Sequence, residues 1–443
     1  MEFRHPKVQK NHWDQVFAEQ RDRKAITAAD FFAHTGPRLR LIEISSLIID
    51  ISMMLLYPFS MIDRKIDKAA IKKLLATFPA TAILGPRQSG KTTLAHEFKA
   101  DHFYDLENPR DAAMLAEPQL ALEALSGLIV IDEIQRQPNI FPLLRYLIDT
   151  KKSQRYLILG SASRDLIRQS SETLAGRIAY HELGGFRIDD TGADQWRKLW
   201  LRGGLPPSYT AQTEELSQKW LEEYLAAFLE RDIPQLGFSI PASTLRRFWT
   251  MLCHYHGQIL NYAELGRSFG ISDMTVRRYL DILEGTFMIR LLQPWHANIG
   301  KRLVKRPKVY FRDSGLFHAL LAIRSERDLA NHNKLGASWE GFALEAAARA
   351  LGKRNEELAF WATHSGAEVD LFWHERGNKW AIEAKYRDAP RPTPSMTNAI
   401  KDLELSHLWI LYPGDRAYLL APKVSALPLA DVKSPWQYGS HPK

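Results

Sequence analysis

The stretch Gly85-Pro86-Arg87-Gln88-Ser89-Gly90-Lys91-Thr92 sets two glycines, a lysine and a hydroxyl at a spacing suited to holding a chain of phosphates. The glycines let the backbone curl so that successive N–H groups, and then a helix N-terminus, point at phosphate oxygens. Lys91 would bring a mobile positive charge to the β- and γ-phosphates, and Thr92 a hydroxyl to Mg2+. Nucleotide contacts are therefore expected from Gly85 through Thr92 and on to Thr93. About forty residues later the apolar run "GLIVIDEIQ" delivers Asp132 and Glu133 at its carboxyl end. Asp132 would hold the Mg2+ shell with Thr92. Glu133 would act as general base on the attacking water, with Lys91 as the second catalytic group.

Two further residues are candidates for the same chemistry. "RYLILGSAS" presents Ser161, with Ser163 behind it, at the end of a strand, where a hydroxyl can orient water against the γ-phosphate. A helix N-cap is the other reading of the same serines. Arg177 follows Gly176 in "SETLAGRIAYHELGGF" and could reach a neighbouring subunit's γ-phosphate, which would require a homo-oligomer. Its plainer alternative is a surface ion pair.

A second constellation lies near the other end of the chain. "EVDLFWHERGNKWAIEAKY" reads as two short strands joined at Gly377-Asn378, with paired residue numbers summing to an odd value. Asp370, Glu383 and Lys385 then share one face, and Leu371, Ile382 and Ala384 the other. Two carboxylates beside a lysine suit a divalent metal and a charge for an attacking hydroxide or a scissile phosphate. Glu340, on the amphipathic helix "GASWEGFALEAAARAL", offers a third acid, with Glu345 one turn on. A Glu-x-Lys on a strand is otherwise an ordinary solvated edge.

Between the two lies a basic segment. Leu245 to Arg312 holds twelve Lys/Arg against four Asp/Glu, an excess equal to the +8 of the whole chain, as expected for a polyphosphate partner such as DNA. "NYAELGRSFGISDMTVRRYLDILEG" predicts a helix over 262–269, a turn at 270–272 and a helix over 273–284 capped by Ser272. The second helix would present Thr275, Arg277 and Arg278 outward between core positions Met274, Val276, Tyr279 and Leu280. "FMIRLLQPW" and "LVKRPKVYF" then flank a wing carrying Lys301, Arg302, Lys305 and Arg306, a winged helix able to grip backbone phosphates. Packing of the same unit against the rest of the chain is the alternative.

These residues need a frame. Residues 61–203 alternate strands ("TAILG", "HFYDL", "LIVID", "YLILG") with helical stretches, the pattern of a parallel sheet with helices on both faces, hence α/β. A helical connector is expected over 204–244, the winged helix-turn-helix over 245–334, a mixed α/β domain over 335–425 with a loop at 389–399, and a polar tail over 426–443. Residues 1–60 carry no motif and read as an extension dispensable for activity. The run Leu41 to Phe59 is interrupted by Glu43 and Asp50, too costly for a membrane span. The first residues lack a signal-peptide pattern, and one cysteine, Cys253, builds no internal disulfide. A cytoplasmic protein with no membrane partner is expected.

In this order "GPRQSGKTTL", "IVIDEIQ", "LGSAS", "LAGRI", "GGLPPSY" and "KVYFRDSGL" resemble the prokaryotic AAA+ type ATPases that carry a conserved C-terminal domain of unknown function. The likeness runs from about Met61 to Leu420. It implies a P-loop NTPase fold, ATP and Mg2+ as ligands, and a DNA-related or regulatory task. Family members commonly have Thr-Gly-Ser where this chain has Leu159-Gly160-Ser161, leaving Ser161 alone as the sensing residue. The order Glu340, Asp370, Glu383-Ala384-Lys385 resembles the PD-(D/E)XK nuclease superfamily and implies a Mg2+-dependent phosphodiesterase fold. The expectation is an ATP-hydrolysing, DNA-associated machine with a nuclease-like end; the rival is a nucleotide-gated switch that binds a protein partner.

Overall fold

The structure, a computed structural model, describes residues 62–160, 172–295 and 305–433. Helix α1 (Lys65–Thr77) leads into β1 (Ala80–Leu84), whose five residues are all buried. With β2 (His102–Asp105), β3 (Gly127–Asp132), β4 (Gln154–Gly160) and β5 (Ile178–Glu182) it forms a parallel sheet in the order β2-β3-β4-β1-β5. Strands covered on both faces must be apolar on both, which is why "ATAIL" and "LIVID" read as continuous runs. Ile71 of α1 and Leu94 of α2 (Lys91–His96) pack on one face with Ile83, Val130 and Leu157. Leu144 and Leu147 of α3 (Phe141–Thr150) cover the other with Ile129, Ile131 and Ile158. The fifth strand, "IAYHE", was not among the four expected.

A helical layer follows: α4 (Glu214–Ala227), α5 (Ala242–Leu252), α6 (Tyr262–Phe269) and α7 (Asp273–Gly285). The last two are helices joined by a turn over 270–272, close to the bounds expected of them. Gly270 ends α6 at φ +64°, a left-handed position that favours glycine, and the Ser272 side chain accepts from Thr275 N to start α7. Leu245, Phe248, Trp249, Leu265, Val276 and Leu280 share one core with Cys253, whose thiol is pushed up by burial. Met274 is 80% exposed, not core. Two residues before Val276, it lies on the opposite side of the helix from the Val276, Tyr279, Leu280 and Leu283 stripe.

β6 (Gln258–Ile259), between α5 and α6, joins β7 (Ile289–Pro294) and β8 (Lys308–Phe311), beyond α7, in a small antiparallel sheet in the order β7-β8-β6. Helix α8 (Leu335–Ala350) begins the last segment. It is followed by β9 (Leu358–Ala362), β10 (Glu368–Glu375), β11 (Asn378–Ala384), α9 (Pro394–Leu403), β12 (His407–Tyr412), β13 (Tyr418–Ala421) and β14 (Val424–Pro428). β7 pairs in parallel with β9 through Gln293↔Ala359 and Pro294↔Phe360. Nine strands therefore run as one sheet, β13-β14-β12-β11-β10-β9-β7-β8-β6, across the expected boundary at 334/335. Two smaller expectations also shift. β14 is buried throughout and carries the fold past residue 425 into the supposed polar tail. The 389–399 loop turns helical at Pro394, where the missing N–H costs nothing and Thr393 caps.

Candidate functional site

The phosphate-type loop sits between β1 and α2 at the carboxyl end of the parallel sheet, where open α/β sheets place their ligands. A Cβ at Gly85 would lie 2.0 Å from Leu183 O, so only glycine lets the loop pass the end of β5. Gly90, at φ +88°, opens α2, and Gln88 is also left-handed at φ +61°. Lys91 Nζ donates to Gly85 O at 3.2 Å and Pro86 O at 2.9 Å. Burial pulls its pKa down to about 8, against the attraction of Glu133 and Asp132. Ser89 Oγ is buried with no hydrogen-bond partner, a polar atom left over inside the loop.

The acids of β3 face this loop although β4 separates β3 from β1. Thr92 Oγ1 donates to Asp132 Oδ2 at 2.6 Å, and Glu133 N donates to Asp132 Oδ1 at 2.8 Å. Burial lifts Asp132 to about 6 despite the Thr92 bond. Mg2+ is usually held by one or two carboxylates together with substrate phosphates and water. A hydroxyl and a carboxylate in contact, from two different elements, fit that ion. Glu133 adopts φ +54°, a left-handed conformation that is costly for a residue with a Cβ and typical of functional turns. Its carboxylate accepts from Gln135 Nε2. Beside it opens a cleft of about 390 Å³ lined by Arg87, Glu107, Glu133, Gln135, Arg136 and Asp232.

Sequence reasoning missed the residues that brace the loop. Arg87 pairs with Asp232 at 2.8 Å and Glu107 at 2.9 Å, and Tyr224 donates to Arg87 O at 3.3 Å. Asp232 and Tyr224 come from the helical connector, whose chain widens into a π-turn over Phe228–Asp232. Arg64 donates to Ser89 O at 2.8 Å and to Gly184 O at 2.9 Å. No spacing rule connects these positions to the loop. The quoted stretches "GGLPPSY" and "KVYFRDSGL" interlock: Gly204 N donates to Asp313 Oδ2 at 2.8 Å, and a Cβ on Gly315 would lie 2.2 Å from Arg202 O.

Ser161 and Ser163 lie outside the described residues; β4 ends just before them at Gly160, level with Leu84. Arg177 precedes β5 at the end of the sheet remote from the loop, its O accepting from Ala80 N at 3.1 Å. It forms a bidentate pair with Asp149, at 2.7 and 2.9 Å. Within one chain it does not join the site.

Glu340, Asp370, Glu383 and Lys385 do come together. The hairpin turns at Arg376-Gly377, one residue earlier than expected, but Leu371↔Ile382 keeps the odd sum. Asp370 N donates to Glu383 Oε2 at 3.3 Å, Ala384 N to Asp370 Oδ2 at 2.9 Å, and Lys385 Nζ to Glu383 Oε1 at 2.7 Å. Burial, reinforced by Asp370, lifts Glu340 to about 7 and Glu383 to about 8. A residue from outside the expected set joins them. Lys308 Nζ lies 3.3 Å from Glu340 and 3.5 Å from Asp370, and also pairs with Glu368. Glu345 belongs elsewhere, bound to Arg290 at 2.9 Å and Arg312 at 2.8 Å.

The basic segment is thus partly spent inside the fold. Arg290, Lys308 and Arg312 serve ion pairs, while Arg246, Arg247, Arg267, Arg277, Arg278, Lys305 and Arg306 are exposed. Arg277 stacks over Tyr262 at 4.1 Å, and Thr275 Oγ1 lies 3.0 Å from Ser272 Oγ. Lys301 and Arg302 lie outside the described residues. Among the described residues no helix is long and apolar enough to cross a membrane.

Comparison with known proteins finds three family models along the chain, the second of them spanning the expected connector and most of the expected helix-turn-helix segment. A family model described as an AAA domain matches residues 77–191, and two described as domains of unknown function, DUF8612 and DUF4143, match 193–327 and 335–432. The uncharacterized proteins Rv2008c of Mycobacterium tuberculosis and Mb2031c of Mycobacterium bovis are each 47% identical over 394 residues, 88% of either chain. Among solved structures, the Walker-type ATPase PABY2304 of Pyrococcus abyssi is 15% identical and covers 59% of this chain and 96% of its own, with a TM-score of 0.41.

Proposed function

Since the chain belongs to the family of the mycobacterial proteins Rv2008c and Mb2031c, with an AAA domain at its core, we propose that it binds and hydrolyses ATP and acts on duplex nucleic acid. The Thr92–Asp132 contact of 2.6 Å carries the first half, because it joins the phosphate loop to the acidic strand end at one point. Thr92 and Asp132 would hold Mg2+, which when bound neutralises charge on the β- and γ-phosphates. Lys91 exchanges its two carbonyl partners for phosphate oxygens. Glu133, aimed by its left-handed backbone, takes the proton of the attacking water. The test is ATP turnover by the full chain beside Lys91→Ala and Glu133→Gln. Undiminished turnover in both variants would overturn this reading.

The second half rests on the exposed arginines of α5, α6 and α7 with Lys305 and Arg306, which give this part of the chain a surface rich in basic side chains. Such a surface binds backbone phosphates with an affinity that falls steeply as salt rises. Duplex binding measured by anisotropy at rising salt checks it. Absence of binding at low salt, with ATPase indifferent to DNA, would favour the rival reading of a nucleotide-gated switch. That rival draws on Arg87, whose pair with Asp232 ties the phosphate loop to the connector.

A further inference from the structure

The nuclease resemblance implies a divalent cation among Glu340, Asp370 and Glu383, but the side chains present do not fit one. Among the described residues no three His, Cys, Asp or Glu side chains are arranged to hold a metal. Each of the three acids already has at least one donor. Glu340 Oε1 accepts from Tyr310 OH at 2.6 Å and from Lys308 Nζ at 3.3 Å. Asp370 Oδ1 faces Lys308 Nζ at 3.5 Å, and its Oδ2 takes the Ala384 N–H. Both oxygens of Glu383 are taken, by Lys385 and by the backbone of Asp370.

Lys308 is only 2% exposed, and it reaches the cluster from β8, a strand of the helix-turn-helix half. A lone lysine so deeply buried would give up its proton. Burial works against the charge here, but the carboxylates of Glu340, Asp370 and Glu368 outweigh it and hold the ammonium charged well above the ordinary lysine range. Tyr310, two residues along β8, shares this attachment to Glu340.

We propose that Lys308 is the resident cation of this cluster: its ammonium stands where a nuclease would hold a metal, and the acids form a socket that locks β8 onto the C-terminal half. While β8 is docked, the socket takes no divalent metal. This inference is independent of the ATPase reading.

Binding of Mn2+ alone tests it, with free ion followed by electron paramagnetic resonance in the nucleotide-free full-length chain. Wild type and Asp370→Asn are expected to bind equal Mn2+. Lys308→Met, which empties the cation position but keeps its apolar stem, should gain one Mn2+ per chain, and the double variant Lys308→Met/Asp370→Asn should lose it. An Asp370-dependent Mn2+ in the wild type would overturn the proposal, as would a folded Lys308→Met chain that gains none. Should Lys308→Met not fold, the wild-type comparison still decides, joined by acetylation of the native chain. Lys308 should resist acetic anhydride at least tenfold more than surface lysines, and equal labelling would sink the idea.

Discussion

Two regions of this molecule set a buried lysine against acids, and they use it in opposite ways. Lys91 is bonded to two backbone carbonyls, with Asp132 and Glu133 nearby, and burial pulls it down to about 8. Lys308 touches three carboxylates, and they hold it charged despite its burial. Carbonyls solvate an ammonium without cancelling its charge, so the first lysine still has an anion to gain. Carboxylates cancel it, so the second has nothing left to bind. The same residue types therefore make a ligand site in one place and a structural lock in the other.

The largest effect expected from this contrast is on turnover. Glu133→Gln removes the base but keeps the shape, and general-base catalysis is worth about 10²–10⁴-fold. ATP hydrolysis should fall by that much while nucleotide binding, followed by fluorescent-analogue titration, stays near wild type. An unchanged rate would remove Glu133 from the chemistry and weaken the claim that the first site is the reactive one.

Next comes stability, where the second site should dominate. Removing one partner of a buried ion cluster leaves uncompensated charge and costs about 3–5 kcal/mol. Lys308→Ala should lose about that much in urea unfolding, with the nucleotide-free chain as reference. Lys91→Ala should lose far less, because relieving a buried, carbonyl-bound charge offsets the missing bonds. Equal losses would erase the distinction between the two lysines.

The features legible in the sequence were those carried by local spacing. The phosphate loop, the apolar strand ending in Asp132-Glu133, the capped α6–α7 pair and the Glu383-Ala384-Lys385 hairpin each announce themselves within about twenty residues. Lys308 did not, because its partners Glu340 and Asp370 follow 32 and 62 residues later and its own neighbourhood reads as a basic wing. Arg64, Arg87 and Asp232 were hidden for the same reason: Arg64 lies 25 positions from Ser89, and Arg87 lies 145 from Asp232. The hairpin turn slipped by one because Arg376-Gly377 and Gly377-Asn378 both satisfy the demand for a left-handed pair. The sheet shared by β7 and β9 leaves no composition shift to mark it, since both strands look like ordinary buried runs.

Titration separates the lysines more finely. Burial pulls the pKa of Lys91 down to about 8, whereas phosphates require the ammonium. Nucleotide affinity should hold below that pH and then fall by up to about tenfold per unit as one proton must be taken up on binding. The sign for folding is opposite: with its folded value below that of the unfolded chain, Lys91 costs stability at neutral pH, and that cost shrinks as pH rises from about 8 and is gone above the ordinary lysine value of about 10.4. Lys308 is shifted the other way. Its contribution is complete below the ordinary lysine value of about 10.4 and is lost only above its raised one. Affinity measured from pH 7 to 9.5 should therefore bend in wild type, and Lys308→Met should bend at the same pH. A flat profile would mean that Lys91 keeps its proton and that the carbonyl cradle is stronger than its burial.

The smallest effect is expected at Arg177, which extends the comparison to the surface. It meets Asp149 with bidentate geometry as good as any in the fold, but its side chain is 30% exposed and that of Asp149 45%. Water and salt screen such a pair, so geometry without burial should count for little. Arg177→Ala is expected to leave the unfolding midpoint within error and turnover within about twofold of wild type. If turnover falls much further at unchanged stability, Arg177 acts beyond its own chain. Mixing it with Lys91→Ala chains would then restore activity, because each variant supplies what the other lacks at a shared interface. That outcome would make the nucleotide site a joint property of neighbouring copies, while the carboxylate lock stays the business of one chain.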